Sequence, residues 1–317
     1  MKSLLISLIL VITLWADAHI FVYHRFGDSR YPSTNTTISE LKKEFNYFKA
    51  KGYKIVPLER LVTALKNGKN IPDSWVVLTI DDNFKSFYDN ALDIFKEYHY
   101  PFSLFVYVEA TQKRYPDYLS WKQLKEIAKY GSLEFHSYAH PHMTHMSDKK
   151  LKEDFQKGLK IFEQKLGFKP RYFSYPYGEY DNRVEKITES FGFDAIINQN
   201  MGAVGKKSDI YNLDRGALVG KTNLKFFLKF KYLDALWLKP KSYPKDGVLK
   251  ALHVETKESA KEGGLYISGN GWQKIEIKDG IIDLKLDKKL TKERNRVIIS
   301  IQNRISTKLL VKDKKWN

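Results

Sequence analysis

The chain contains no cysteine. Disulfides, zinc–thiolate centres and thiol catalysis are therefore excluded, although this absence does not identify the redox compartment. Acidic charge is also scarce: 37 Asp+Glu face 54 Lys+Arg, a net charge of +17. Such an excess fits nucleic acid, an anionic membrane surface or an acidic polymer, and it equally fits a solvated, lysine-rich surface. Long apolar runs are missing apart from one at the N-terminus, and there is no internal repeat or low-complexity tract.

That one run is informative. Lys2 precedes LLISLILVITLW at residues 4–15, and Ala16-Asp17-Ala18 follows. A basic start, an apolar stretch of about 12 residues and an A-x-A site describe a secretory signal peptide over residues 1–18. The run is shorter than the roughly 20 residues that cross a bilayer. A buried first helix or an uncleaved anchor is the alternative. The signal-peptide reading makes the protein exported, periplasmic or extracellular, with no transmembrane segment after processing. Export in turn sets nucleic acid aside as a partner.

The 317 residues, 43% of them hydrophobic, suffice for one large domain and a small one. From HIFVYHRF at 19–26 to YFSYP at 172–176, apolar strand-like runs alternate with amphipathic helical patterns. This alternation predicts an α/β fold with a parallel sheet, open or closed into a barrel, and active-site residues at the C-terminal ends of its strands. Thr37 and Glu40 predict a capping box, and Gly52 the end of that helix. TNLKFFLKFKYLDALW at 222–237 predicts a last amphipathic helix. KPKSYPKDG at 239–247 then reads as a linker. Beyond it, short alternating runs separated by NG and DG turns predict a small, basic, all-β module over 245–317. Residues 239–317 carry 19 basic and 10 acidic side chains, about half the excess charge, so anionic envelope polymers are a candidate partner of this module.

Two clusters fall at predicted strand ends. TIDDNF carries Asp81 and Asp82; adjacent carboxylates ionise together cheaply only beside a cation, though an aspartate at a helix N-cap is the common use. EFHSYAHPHMTHMS carries His136, His140, His142 and His145, half of the eight histidines. His136 and His140, four apart, would reach one side of a folded loop. With one carboxylate they would make a two-His, one-acid site with open positions, suited to zinc or another divalent metal.

These residues resemble a known family. TIDDNF is similar to the T-F-D-D-G motif of polysaccharide deacetylases, the NodB-homology group or carbohydrate esterase family 4. His136-Ser137-Tyr138-Ala139-His140-Pro141 matches that family's H-S-x-x-H-P motif unchanged, and FSYPYGEY at 173–180 resembles its R-x-P-Y-G. The resemblance implies a deformed (β/α) barrel of NodB type over 19–238, followed by a sandwich-like β module. It implies Asp81 as catalytic base and Asp82, His136 and His140 as ligands of a divalent metal, zinc or alternatively cobalt, nickel or iron. Tyr175, Pro176 and Tyr177 would line the substrate groove, and a backbone amide near Tyr177 would bind the oxyanion.

Three departures stand out. Asn83 replaces a glycine. Ser174 stands where the family's base-orienting arginine belongs, and Arg215 is a candidate substitute or substrate contact. No late histidine motif is evident. A sub-group resembling the poly-N-acetylglucosamine deacetylases carries this motif at the front, as a Tyr-His pair ending the first strand, and VYHRF matches it, so His24 takes the acid role. The implied activity is metal-dependent N-deacetylation of N-acetylglucosamine units in an envelope or extracellular polysaccharide. An O-acetyl esterase and a non-catalytic carbohydrate-binding protein on the same fold are the alternatives. Tyr138 and Trp121 are further candidates for sugar stacking or for the core, and His142 and His145 for loop contacts.

Overall fold

The computed structural model describes residues 17–220 and 222–312. The expected signal peptide falls outside them except for Asp17 and Ala18. Both of these belong to the fold: Ala18 exchanges two backbone hydrogen bonds with Val204 (2.9 and 2.8 Å), and the Asp17 carboxylate accepts from the Tyr232 N–H (3.0 Å).

Eight parallel strands form the first sheet: β1 (His19–Tyr23), β2 (Lys54–Ile55), β3 (Trp75–Ile80), β4 (Ser103–Val106), β5 (Ser132–Phe135), β6 (Tyr172–Ser174), β7 (Ala195–Ile197) and β8 (Gly216–Ala217). Their order is β8-β1-β3-β4-β5-β6-β7, with β2 beside the start of β3. β1 and β3 are buried at every position, as expected for strands covered on both faces by helices. The two edges are bridged by one short segment. Leu213 bonds to Ile196 and Asn198 at the end of β7 (3.0 and 2.9 Å), and three residues later β8 pairs with β1. The sheet thus curves into the deformed barrel that the sequence predicts.

The helices follow their local signals. Ile38–Ala50 opens on the Thr37–Glu40 capping box and lays Leu41, Phe45 and Phe48 into the core. Asp148–Leu166 opens on Ser147 and closes at Gly167, whose φ of 86° suits glycine.

The sequence reading fails at residues 222–237. Only Leu224–Phe227 is helical; β9 (Lys231–Tyr232) and β10 (Ala235–Lys239) belong to the C-terminal β region. There Leu233 enters the second core and the Trp237 indole donates to Ser306 Oγ (2.9 Å), contacts that override a helical pattern. The β region therefore starts at Lys231, and 240–247, expected as an interdomain linker, is a loop inside it. β11 (Val248–Thr256), β12 (Glu262–Ile267), β13 (Gly271–Glu276), β14 (Ile281–Lys289), β15 (Arg294–Ile301) and β16 (Arg304–Val311) complete it. Two sheets, β9-β16-β15-β12-β13 and β10-β11-β14, close over Leu252, Val254, Leu265, Val297 and Ile299.

Candidate active site

The ends of the barrel strands deliver the site. The Asp81 N–H still bonds to the Tyr23 carbonyl (2.9 Å), so Asp81 is the last residue in the β3 ladder. Asp82 and Asn83 then turn the chain with φ of 71° and 45°, a region that Asp and Asn tolerate better than most side chains. Asn83 does more than replace a glycine. Its side chain accepts from the Tyr107 N–H (2.6 Å) and donates to Thr111 Oγ1 (2.9 Å), tying the Asp-Asp turn to the end of β4.

After β5, the HSYAH loop is pinned from behind. The buried Asp154 carboxylate accepts from the Tyr138 and Ala139 N–H groups (both 2.9 Å), and Ser137 Oγ accepts from the His140 N–H (2.9 Å). Ser137 and His140 hold φ of 68° and 50°, left-handed backbone sustained by this cradle. His140 Nε2 then lies 3.0 Å and His136 Nε2 3.4 Å from Asp82 Oδ1.

The tautomer of His136 follows from its other nitrogen. Nδ1 lies 2.8 Å from the Ser174 carbonyl, which can only accept, so Nδ1 carries the proton and Nε2 presents a lone pair. The Ser174 hydroxyl is 2.7 Å from the same Nδ1. Asp82 Oδ1 is buried and has no hydrogen-bond partner among the described residues. Donor atoms from two residue types thus converge on one point, an arrangement that a bound cation would satisfy. Asp82, His136 and His140 fit a divalent metal in number, donor type and orientation of the supporting hydrogen bond.

Arg215 is brought to the Asp81 carboxylate. It is fully buried and meets Asp81 end-on: Nη1 donates to Asp81 Oδ1 (2.8 Å) and Nη2 to Oδ2, while Nε donates to the Asn198 carbonyl (2.8 Å). Its guanidinium thus meets both oxygens of the carboxylate, and it is too deep to touch a polymer. Gln199 Nε2 lies 3.5 Å from Asp81 Oδ2. Burial alone would raise the Asp81 pKa; the positive charges of Arg215 and His136 outweigh it and hold the carboxyl below its usual range. Burial likewise opposes ionisation of Asp82, and the two imidazoles override it by a wider margin. For His136, burial disfavours the charged ring, but Asp81 and Asp82 raise its affinity for a proton.

His24 follows β1, and its Nδ1 is buried without a hydrogen-bond partner among the described residues. Burial lowers its pKa, with the charges of Asp82 and Asp81 opposing and those of Arg215 and His136 reinforcing, so it shares the field of the same cluster.

The expected substrate wall needs correction. Tyr175 is fully buried, packed against Phe173 and Tyr180, and Pro176 is buried too; the apolar core claims both. Tyr138 is also buried. Only Tyr177, 40% exposed at φ 58°, presents a ring to solvent, 4.5 Å from the His140 ring. The C-terminal β region buttresses this wall: Arg294 Nη1 donates to the Tyr177 carbonyl (2.6 Å) and Arg296 Nη2 to the Gln199 carbonyl (3.2 Å). Nothing in the sequence singles out Asp154, Gln199 or the two arginines, because each acts across 15 or more residues, Gln199 on a side chain and the others on backbone atoms.

Comparison with known proteins agrees with this geometry. Residues 68–196 match the sequence profile described as polysaccharide deacetylase. The putative polysaccharide deacetylase YxkH of Bacillus subtilis is 23% identical over 201 residues, which span 63% of this chain and 71% of that protein. A poly-β-1,6-N-acetyl-D-glucosamine N-deacetylase of Staphylococcus epidermidis is 25% identical over 202 residues, 60% of this chain and 70% of that protein. The solved deacetylase PplD of Streptococcus pyogenes, in complex with acetate, superposes with a TM-score of 0.60 at 20% identity, covering 65% of this chain and 94% of that one. The chain thus carries a polysaccharide deacetylase domain on the NodB-type fold.

Proposed function

We propose that the chain is a metal-dependent deacetylase that removes N-acetyl groups from N-acetylglucosamine units of an exported polysaccharide. One observation carries the reading: a convergent Asp82–His136–His140 donor set beside a carboxylate, Asp81, that is buried, ionised and held by Arg215. A structural Asp-Asp turn requires neither. The relatives named as poly-β-1,6-N-acetylglucosamine N-deacetylases support the choice of substrate, and the N-terminal segment supports export.

A divalent ion, zinc by donor type, would supply Lewis-acid activation of water and of the acetyl carbonyl. Asp81 takes the proton of the attacking water on a carboxylate oxygen; its ionised state at neutral pH suits a base. Arg215 keeps that oxygen aimed, and Ser174 keeps His136 in the tautomer with a free Nε2. A backbone N–H near Tyr177 stabilises the developing oxyanion. His24 then delivers a proton to the leaving nitrogen, a role that requires the imidazolium form, which the Asp82 and Asp81 carboxylates favour and burial opposes. The exposed Tyr177 ring offers a flat face for a sugar.

The test is acetate release from N-acetylglucosamine oligomers and from O-acetylated xylan, before and after chelation and zinc restoration. The proposal expects release from the amide substrate that disappears with the metal and in Asp82→Ala. Chelator-resistant turnover, or release from the O-acetyl ester alone, would reject it.

A further inference from the structure

Two residues past His140, the same loop supplies two more histidines, and a glutamate from the loop after β6 meets them. His142 Nδ1 lies 3.0 Å from Glu179 Oε2, and His145 Nε2 lies 4.0 Å from Glu179 Oε1. One donor atom from each of the three falls within 4.8 Å of the others. We propose that His142, His145 and Glu179 form a second divalent-metal site, independent of the one at Asp82.

The local structure explains why these residues face one another. Met143–His145 is a single 3-10 turn, and in that geometry side chains three apart eclipse. The two imidazoles accordingly stack at 5.1 Å with 28° between their planes. Glu179 comes from the strand-end loop after β6, where its N–H bonds to the Pro176 carbonyl (3.1 Å). Its side chain is only 3% exposed. Carboxylates are rarely so buried unless paired or bound to a cation. The Thr144 hydroxyl donates to Oε1, the outer-shell contact typical of a ligating carboxylate. His142, by contrast, is 46% exposed, so the site opens to solvent and leaves room for water or an added ligand. Two imidazoles and one carboxylate suit zinc, and nickel or cobalt next.

The two sets share no residue. Tyr177 lies between them, its ring stacked on His142 at 4.2 Å and 8° and edge-on to His140 at 4.5 Å. An ion at the second site would fix the His142 ring and, through it, the one exposed aromatic of the groove wall.

Metal counting tests this without reference to turnover. The full chain is loaded with zinc, desalted and assayed by inductively coupled plasma mass spectrometry. Glu179→Gln keeps the size and the Thr144 contact while removing the anionic ligand, and His142→Ala removes an exposed ligand at little risk to folding. Both should hold one zinc equivalent fewer than the parent chain, with an unchanged circular-dichroism melting profile in the metal-free state. The same one-equivalent loss should appear in an Asp82→Ala background, which separates failure of this site from failure of the first. Zinc content in Glu179→Gln and His142→Ala equal to that of the parent would overturn the proposal.

Discussion

Replacing Arg215 by methionine perturbs the site at its most enclosed point. Arg215 and Asp81 are both 0% exposed, so the substitution leaves a carboxylate in the interior with its two guanidinium contacts gone. Breaking a buried pair in this way costs about 3–5 kcal/mol, far more than loss of an exposed pair. For a domain of this size, that lowers the melting temperature by about 10 °C. The loss should depend on pH with a definite sign. The folded-state pKa of Asp81 is depressed below the ordinary carboxylate value, so the pair contributes above the unfolded pKa of about 4 and the contribution fades as pH falls through the folded one. The gap between parent and variant should therefore narrow in acid. Catalysis gives a second readout. Arg215 aims Asp81 and touches no substrate, so kcat should fall while KM stays put. Lysine at 215 keeps the charge but not the two-point contact, and should recover more stability than rate. Urea denaturation at several pH values and steady-state acetate release measure both. An Arg215→Met protein that stays within 1 kcal/mol of the parent and retains its kcat would refute the reasoning.

Three further outcomes follow from the structure. Burial raises Glu134 to about 7 despite its bonds from the Arg171 and Tyr172 N–H groups; the folded state then holds an extra proton between about pH 4.5 and 7, and stability falls by about 3 kcal/mol as pH rises through that window. Glu134→Gln should remove this component, so denaturation midpoints at pH 5 and 7.5 should lie closer together than in the parent, and equal slopes would contradict the assignment. Arg294→Ala should raise KM for oligosaccharides more than it lowers kcat, because its guanidinium supports the Tyr177 backbone from the β region. For the same reason, a chain truncated before residue 231, where the β region starts, should lose turnover even on small substrates; retained activity would show the β region to be a separable tail.

The candidate cluster was legible because parallel strands put their polar residues at one end, and the TIDD, HSYAH and VYH segments all close apolar runs. Arg215 was legible only through a departure: a serine where an arginine belongs sends the search for another cation, and Arg215 is the one that reaches Asp81. Tyr175 was misread since a tyrosine in a motif looks the same whether its ring faces sugar or Phe173. Residues 222–237 were misread because Leu, Phe and Tyr spaced at three and four fit a helix, while their actual partners lie some 70 residues further on in β16. Glu179 and Asp154 left no local signal at all. Their roles depend on loops that meet only once the barrel has closed.

The central claim is that Asp81 takes a proton beside a metal held by other residues. Asp81→Asn separates the two parts: it leaves Asp82, His136 and His140 intact and removes the base. The deciding measurement is acetate release from an N-acetylglucosamine oligomer by this variant, with its zinc content at the metal-bound Asp82 set matched to the parent. A general base contributes about 10²–10⁴ in rate, so turnover should fall at least a hundredfold at equal occupancy. Turnover within a few-fold of the parent would show that the proton goes elsewhere and that the account of this site is wrong.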